Sequence, residues 1–160
     1  MAAEARAVVE DRGNHMLVTL SNPQRRNALS PAMYADLRAA LDQAAADDRI
    51  GAVVLTGASG YFCAGGDLNA LAERAALSRE ERRTRIEDLH ATIRAIRACS
   101  RPVIAAVEGG AAGAGFSIAL ACDLLVAAED ASFAAAYVRV GLVPDGGLTA
   151  SLARRVPASL

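Results

Sequence analysis

The fold of this chain is decided by two glycine-bearing turns, Cys63-Ala64-Gly65-Gly66-Asp67 and Gly109-Gly110-Ala111-Ala112-Gly113-Ala114-Gly115. Each turn follows a short apolar segment, residues 52–56 in the first case and residues 102–107 in the second. Small residues at such turns allow the backbone to approach a ligand closely and to offer it free N–H groups. Two such turns could donate a pair of hydrogen bonds to one developing negative charge, as an oxyanion hole requires.

Strand and helix signals alternate around these turns, which predicts an α/β fold with largely parallel strand pairing. Strands are predicted at residues 7–10, 16–20, 51–56, 103–107, 123–128 and 132–134. The segment 51–56 is nearly continuous in apolar character, which is typical of a strand buried on both faces of a parallel sheet. Helices are predicted over residues 31–44, 78–98, 113–121 and 148–155.

Two of these helices begin with explicit capping signals. Ser30-Pro31 places an N-cap serine before a proline at the first helical position, and Ser78 forms a capping box with Glu81. The first helix has an apolar face made of Met33, Leu37, Ala40, Leu41 and Ala44. The second has an apolar stripe made of Ile86, Leu89, Ile93 and Ile96. Asp67, which follows two glycines, is placed to cap a further helical turn.

Composition narrows the class of protein. The 160 residues fit one domain, residues 1–160, and a hydrophobic content of 53% with only 4% aromatics supports an aliphatic core. The 17 Lys and Arg balance 18 Asp and Glu, so no electrostatic feature suggests a nucleic-acid partner. No apolar run approaches the roughly 18 residues of a membrane span.

Cysteine usage and the N-terminal residues favour a cytoplasmic protein. The 3 cysteines are odd in number and show no CxxC spacing, which indicates neither a disulfide framework nor a zinc site. The first residues lack the apolar core of a signal peptide. We therefore expect a reducing location, no metal and no membrane association.

Two familiar motifs fail at the second turn. Gly113-Ala114-Gly115 begins a G-x-G-x-x-G pattern, but Ile118 stands where the third glycine should be. Ser117 lies in a partial G-x-S-x-G pattern, whose fold requires a histidine after the serine. Both histidines, His15 and His90, precede Ser117. The sequence therefore argues against a dinucleotide site and against a serine hydrolase of this type.

Three polar residues have ordinary structural interpretations. His90 lies beside the apolar stripe of its helix, where a histidine is usually a packed core or interface residue. Cys63 has the surroundings of a small buried hydrophobic residue. Asp145, in Pro144-Asp145-Gly146-Gly147, is by composition part of a common turn.

Taken in order, four segments resemble the crotonase superfamily of enoyl-CoA hydratases and isomerases. They are Asn22-Pro23-Gln24-Arg25-Arg26-Asn27-Ala28-Leu29, Phe62-Cys63-Ala64-Gly65-Gly66-Asp67-Leu68, the run 101–123, and Gly141-Leu142-Val143-Pro144-Asp145-Gly146-Gly147. The resemblance covers essentially the whole chain. It implies a crotonase-like (ClpP/crotonase) α/β spiral of repeated strand-strand-helix units. Full-length members continue for several more helices, so the usual C-terminal helices are expected to be lacking.

The resemblance also implies an acyl-CoA site, with coenzyme A as part of the substrate and no separate cofactor. The backbone N–H groups of Gly66 and Ala114 would form the oxyanion hole for the thioester carbonyl. Gly113 and Gly115 would leave room for the thioester. The substrate-binding residues implied are Arg26, Ala28, Ala64, Gly66, Asp67, Leu68, Asn69, Gly113, Ala114, Ser117 and Tyr137.

Two positions depart from the hydratase pattern. Hydratases of this family carry two glutamates that hold and activate water, and their positions match Ser117 and Tyr137, neither of which is a carboxylate base. Some isomerases, such as the ring-1,2-epoxyphenylacetyl-CoA isomerase, instead place one acid in the loop where this chain has Asp145. The resemblance therefore favours double-bond isomerisation, with Asp145 carrying the proton and Gly66 and Ala114 holding the oxyanion.

Two alternatives stay open at this point. Asp145 could be a nucleophile with His90 as base, as in chlorobenzoyl-CoA dehalogenases, or the chain could be a non-catalytic acyl-CoA binder or assembly partner. We expect a homo-oligomer (trimer or hexamer) or a missing C-terminal segment, since the predicted strands need cover on both faces. The sequence does not identify the acyl group.

Overall fold

The computed structural model describes residues 4–73 and 76–157, which form seven strands and five α-helices. The strands are β1 (Arg6–Asp11), β2 (His15–Ser21), β3 (Ala52–Gly57), β4 (Val103–Val107), β5 (Gly110–Ala112), β6 (Leu124–Ala127) and β7 (Ser132–Ala134). The α-helices are α1 (Pro31–Ala46), α2 (Leu68–Glu73), α3 (Arg79–Ala98), α4 (Ala114–Ala121) and α5 (Leu148–Leu152). Short 3₁₀ segments include Pro23–Arg25, Ala58–Gly60 and Ala136–Val140.

The main sheet has five strands in the order β1-β2-β3-β4-β6. β1 pairs with β2 in antiparallel fashion, and the other neighbouring pairs of this sheet are parallel. β5 and β7 form a second, two-stranded parallel sheet. The predicted α/β class with largely parallel pairing is confirmed. β5 was not predicted, because its glycine and two alanines carry no strand signal of their own.

The chain winds as a spiral of units, each made of a main-sheet strand, a short strand of a second layer and a helix. β4, β5 and α4 form one unit, and β6, β7 and α5 form the next. The unit of β3 and α2 takes its second-layer position from Cys63, which forms an isolated parallel bridge to Ala111 of β5. This is the strand-strand-helix repeat that the family resemblance implies.

Both predicted capping signals are present. Ser30 Oγ accepts a hydrogen bond from the Met33 N–H at 3.1 Å, with Pro31 at the first helical position of α1. Ser78 N–H donates to Glu81 Oε2 at 2.8 Å, and Glu81 N–H donates back to Ser78 Oγ at 3.2 Å. All five residues of the predicted apolar face of α1 are buried. This face packs on β1, β2 and β3 and contacts α3.

The apolar stripe of α3 is confirmed in three of its four positions, since buried side chains include Leu89, Ile93 and Ile96. Ile86 is the exception: it is 40% exposed and lies on the wall of a cavity described below. Thr92, a residue outside the predicted stripe, is fully buried. Its hydroxyl donates to Asp88 O at 2.9 Å and accepts from Arg38 Nη1 at 3.0 Å, so the buried polar group is satisfied.

The last two helices differ in how well the sequence predicts them. All eight residues of α4 are buried, as expected from its small apolar composition. α5 ends at Leu152 rather than at residue 155, and residues 153–155 form a turn. In this turn, Arg155 Nη2 donates to Cys122 O at 2.8 Å, just after the last residue of α4. No helix within the described ranges is long and apolar enough to cross a membrane.

The prediction that β3 is buried on both faces is wrong. Its side chains alternate, with Val53 and Leu55 buried and their neighbours only partly covered, because α1 covers one face of the sheet. The apolar side chains of β6 are more exposed still, Leu124 at 58% and Val126 at 62%. Val143, in the loop before α5, is 84% exposed. Leu124 and Val126 therefore form an exposed apolar surface on one face of β6.

We expect this surface to bind a hydrophobic dye and to drive self-association. Replacing Leu124 and Val126 together by lysine should reduce both effects, because the two side chains lie two residues apart on one face of β6. Light scattering and dye fluorescence measure the change. Val138→Lys, at an exposed side chain outside the main sheet, is the matched control. A monodisperse wild-type monomer that binds no dye would contradict this expectation.

Candidate active site

The two glycine-bearing turns are joined by backbone hydrogen bonds. Cys63 N–H donates to Gly110 O at 3.2 Å, and Ala112 N–H donates to Cys63 O at 2.9 Å. The first turn is also held from its other side, where Leu29 N–H donates to Gly65 O at 2.8 Å. The turns therefore form one surface, as the sequence argument required.

Close backbone approach explains two of the glycines. A Cβ atom at Gly65 would lie 2.6 Å from Ala112 O and 3.0 Å from Ala114 N, so no larger residue fits without movement. A Cβ atom at Gly115 would lie 2.5 Å from Cys63 O. Gly115 thus packs against Cys63, not against the cavity. This corrects the expectation that Gly115 leaves room for a thioester; Gly113 does line the cavity.

Two backbone N–H groups on this surface are free. Within the described part of the chain, neither the Gly66 N–H nor the Ala114 N–H donates to a protein acceptor. Ala114 is the first residue of α4, where N–H groups have no intrahelical partner and the helix dipole favours negative charge. Both residues line the same cavity. This arrangement can stabilise an oxyanion placed between the two turns.

The cavity has a volume of about 500 Å³. Its walls contain ten of the predicted site residues: Ala28, Ala64, Gly66, Asp67, Leu68, Asn69, Gly113, Ala114, Tyr137 and Asp145. It also contains residues that were not predicted as site residues: Arg25, Tyr34, Leu71, Arg85, Ile86, Leu89, Ala136, Arg139, Val140 and Leu142. The lining mixes an apolar floor with a few charged groups, as small-molecule sites usually do.

Two predicted contact residues do not line the cavity. The Arg26 guanidinium lies over the Tyr61 ring, 5.6 Å from its centroid, and Arg25 is the arginine at the cavity wall. Arg26 adopts a left-handed backbone conformation with φ 49°. Ser117 is 1% exposed and lies behind the wall, where it contacts Tyr137. The structure therefore places Arg25 at the cavity wall and places Arg26 and Ser117 away from its surface.

Asp67 has the capping role predicted from the sequence. Its Oδ1 accepts from the Asn69 N–H at 2.9 Å at the start of α2, and its Oδ2 pairs with Arg25 Nη1. Burial alone would raise the pKa of the Asp67 carboxyl, but the Asn69 N–H and the Arg25 guanidinium outweigh it and hold the pKa below its usual range. Asp67 is therefore a charged carboxylate, and both of its oxygens already have hydrogen-bond partners.

Asn27 is a structural residue of the site that sequence reasoning missed. It is fully buried, and its Nδ2 donates to Ala58 O at 2.9 Å and to Tyr61 O at 2.6 Å. Its Oδ1 accepts from the Asn22 N–H at 2.9 Å. These bonds fix the segment that carries Arg25 and Ala28 against the first turn. Asn27 has a left-handed backbone conformation, φ 55°, which asparagine tolerates better than most residues. The sequence alone does not distinguish this buried asparagine from one in an ordinary turn.

Asp145 contacts the two residues that stand at the hydratase glutamate positions. Tyr137 Oη donates to Asp145 Oδ1 at 2.5 Å. Ser117 Oγ lies 3.0 Å from Tyr137 Oη and 3.0 Å from Asp145 O. Burial, and then the hydrogen bond to Asp145, raises the pKa of the Tyr137 hydroxyl above its usual value. Tyr137 is therefore a neutral donor to the carboxylate.

Two other reactive side chains lie outside this arrangement. His90 does not line the cavity, and its Nδ1 lies 3.6 Å from Glu87 Oε1 on the outer part of α3. It is therefore not placed as a base for Asp145. Burial raises the pKa of the Cys63 thiol to about 12, as expected for a buried hydrophobic residue and not for a nucleophile. Over the described residues, no group of three or more His, Cys, Asp or Glu side chains could hold a metal ion.

Comparison with known proteins finds relatives of one family. The sequence profile of the family Enoyl-CoA hydratase/isomerase matches residues 10–160. The Mycobacterium tuberculosis H37Rv protein named "Probable enoyl-CoA hydratase EchA14" is 44% identical over 140 residues, covering 88% of this chain and 54% of that protein. The 1,2-epoxyphenylacetyl-CoA isomerase of Escherichia coli K12 is 39% identical over 140 residues, covering 87% and 53%. The crystal structure of an enoyl-CoA hydratase from Polaromonas sp. JS666 superimposes with a TM-score of 0.92 at 48% identity, covering 96% of this chain and 60% of that one.

The chain belongs to the enoyl-CoA hydratase/isomerase family, and its fold is the crotonase fold. The resemblance carried by the four sequence segments is confirmed. The chain spans about half the length of the curated relatives it matches.

Proposed function

We propose that this chain binds an acyl-CoA thioester and moves a double bond along the acyl group by proton transfer. The observation that supports this most strongly is the difference in hydrogen bonds and ion pairs between the two carboxylates on the cavity wall. The Asp67 carboxylate pairs with Arg25 and accepts a hydrogen bond from the Asn69 N–H at the start of α2. Asp145 pairs with no cation within the described residues and accepts a single side-chain hydrogen bond, from Tyr137. Asp145 is therefore the carboxylate that is available to take a proton.

In the proposed mechanism, the thioester oxygen accepts hydrogen bonds from the Gly66 and Ala114 N–H groups. Asp145 removes a proton from one carbon of the acyl chain, and the electron pair moves toward the thioester to form an enolate. The two N–H groups stabilise its negative oxygen. Asp145 then returns a proton to a different carbon, the double bond shifts, and the carboxylate is regenerated.

This site is better suited to isomerisation than to hydration. Adding water to a double bond requires one group to activate the water and another to handle the proton, and hydratases use two carboxylates for this. Ser117 and Tyr137 are hydroxyls, and Tyr137 is held as a neutral donor by burial and by Asp145. The relatives described above are named both as hydratase and as isomerase, so the assignment rests on these side chains.

We propose the substrate, the location and the oligomeric state together with the activity. The acyl-CoA is the substrate and carries its own coenzyme A. The cysteine usage supports a cytoplasmic location, and the exposed apolar surface supports a homo-oligomer. No described contact favours the dehalogenase-like alternative, since His90 lies outside the cavity. The non-catalytic binder is separated from the enzyme by the assay that follows.

The test is a panel of 2-enoyl- and 3-enoyl-CoA thioesters scored for both binding and turnover. We expect 3-enoyl-CoA to be isomerised, and crotonyl-CoA to be hydrated about 10²–10⁴-fold more slowly than by ordinary hydratases, because both water-handling carboxylates are absent. Chromatography of the CoA products separates the two reactions. Hydration at the rate of ordinary family members would contradict the isomerase assignment, and tight binding without turnover would support the binder.

A further inference from the structure

We propose that Ser117 and Tyr137 are positioning residues that hold Asp145 by its Oδ1 and its backbone carbonyl and leave Oδ2 as the oxygen that exchanges protons with the acyl chain. This inference rests on the isomerase function proposed above. It gives a role to the two hydroxyls that stand where hydratases carry glutamates.

The three residues contact one another directly. Tyr137 Oη lies 2.5 Å from Asp145 Oδ1, Ser117 Oγ lies 3.0 Å from Tyr137 Oη, and Ser117 Oγ lies 3.0 Å from Asp145 O. Tyr137 donates its single proton to the carboxylate, because a charged acceptor makes the stronger hydrogen bond. Ser117 Oγ has three possible acceptors: Asp145 O and Tyr137 Oη at 3.0 Å, and Gly113 O at 3.4 Å. Oδ2 has no hydrogen-bond partner among the described residues.

The anchor of this set is rigid. Ser117 lies on α4, whose residues are all buried, and Ser117 and Tyr137 are 1% and 5% exposed. The loop packs directly on Ser117, since a Cβ atom at Gly146 would lie 2.8 Å from Ser117 Cβ. Ser117 and the Leu148 N–H, which donates to Asp145 O at 3.2 Å, therefore fix the loop backbone at the residue that carries the carboxylate.

The loop itself offers little else to hold the carboxylate. Val143, two residues before Asp145, is 84% exposed. Arg97 of α3, which lies beside Gly147, donates to Ser151 Oγ at 2.7 Å and makes no hydrogen bond to Asp145. Without Tyr137, the Asp145 side chain would keep no hydrogen bond within the described residues. Asp145 must approach two carbons of the acyl chain in turn, so proton transfer is slower when its carboxylate is free to rotate.

The test compares Tyr137→Phe, Ser117→Ala and the double variant, with Tyr61→Phe as a matched control outside the cavity. We expect Tyr137→Phe to lower kcat by about 10- to 100-fold with KM within about twofold of wild type, since a hydrogen bond to a charged group is lost from a residue that acts through Asp145. Ser117→Ala should lower kcat less. The double variant should fall short of the product of the two single effects, because the hydroxyls act as one unit.

A crystal structure of the Tyr137→Phe variant tests the inference without any turnover. We expect the Asp145 carboxylate to leave its wild-type position or to occupy several rotamers. Wild-type kcat in Tyr137→Phe, or an Asp145 side chain that is equally ordered in the same place, would overturn the positioning role. If wild-type protein binds acyl-CoA without isomerising it, the proposed function fails, and the crystal structures still decide whether the hydroxyl pair holds Asp145.

Discussion

Replacing Asp145 by asparagine is expected to lower isomerase turnover by about 10²–10⁴-fold while acyl-CoA binding stays close to that of wild type. Asparagine keeps the shape of the side chain and an oxygen that can accept from Tyr137, but it has no basic oxygen to take a proton. Steady-state rates give the loss of turnover, and calorimetric titration with a non-reactive acyl-CoA gives the affinity.

The matched control is Asp130→Asn, which removes an exposed carboxylate that does not line the cavity. It should leave both turnover and binding unchanged. Full activity in Asp145→Asn would remove the basis for the isomerase assignment. A covalent acyl or aryl adduct on Asp145, seen by mass spectrometry after a rapid quench, would instead show that Asp145 acts as a nucleophile.

Replacing Ala114 by proline is expected to lower kcat by about 10²–10³-fold, the usual effect of deleting one oxyanion-hole donor. Proline has no N–H, so the donor at the start of α4 is removed outright. Ala114 occupies the first helical position, where proline is well tolerated because that N–H has no intrahelical acceptor. The helix should therefore form normally, and circular dichroism with thermal unfolding will show whether it does.

Arg79→Pro is the control for this substitution. Arg79 is the first residue of α3, is exposed and does not line the cavity, so the same change at the same helical position should leave kcat unaffected. A folded Ala114→Pro variant with wild-type turnover would show that the oxyanion is stabilised elsewhere.

Local sequence signals were enough to predict most of the fold. The capping residues Ser30 and Ser78 both cap their helices as expected, and the apolar face of α1 is buried in full. Such features depend on residues within one turn of the helix, so no knowledge of the remaining chain is needed. The two glycine-bearing turns were equally informative, because close approach of two backbones demands small residues whatever else surrounds them.

Features that depend on distant parts of the chain were predicted less well. The burial of β3 on one face only depends on which elements cover the sheet, and its composition does not contain that information. Ile86 has the spacing of a core residue but lies at the cavity wall. Arg25, and not Arg26, lies at the cavity wall, in a segment where Arg26 and Asn27 both have left-handed backbone conformations that the sequence does not reveal.

In the candidate site, too, local features could be predicted and contacts between distant parts of the chain could not. Gly66, Ala114 and Asp145 line one cavity, as the family resemblance implied. The contact of Ser117 and Tyr137 with Asp145 was not expected, because the three residues come from α4, a 3₁₀ segment and a loop, and only the tertiary structure brings them together. The sequence showed that two glutamates were replaced, and the structure shows what the replacing hydroxyls contact.

The central claim is that the chain moves a proton within an acyl-CoA and adds no water. Incubation with a 3-enoyl-CoA in D₂O, followed by mass spectrometry and NMR of the thioester, tests it most directly. We predict a 2-enoyl-CoA product in which the double bond has moved and the only added mass is exchanged deuterium. A product that has gained a molecule of D₂O at a comparable rate, or an unchanged thioester that remains bound, would contradict the claim.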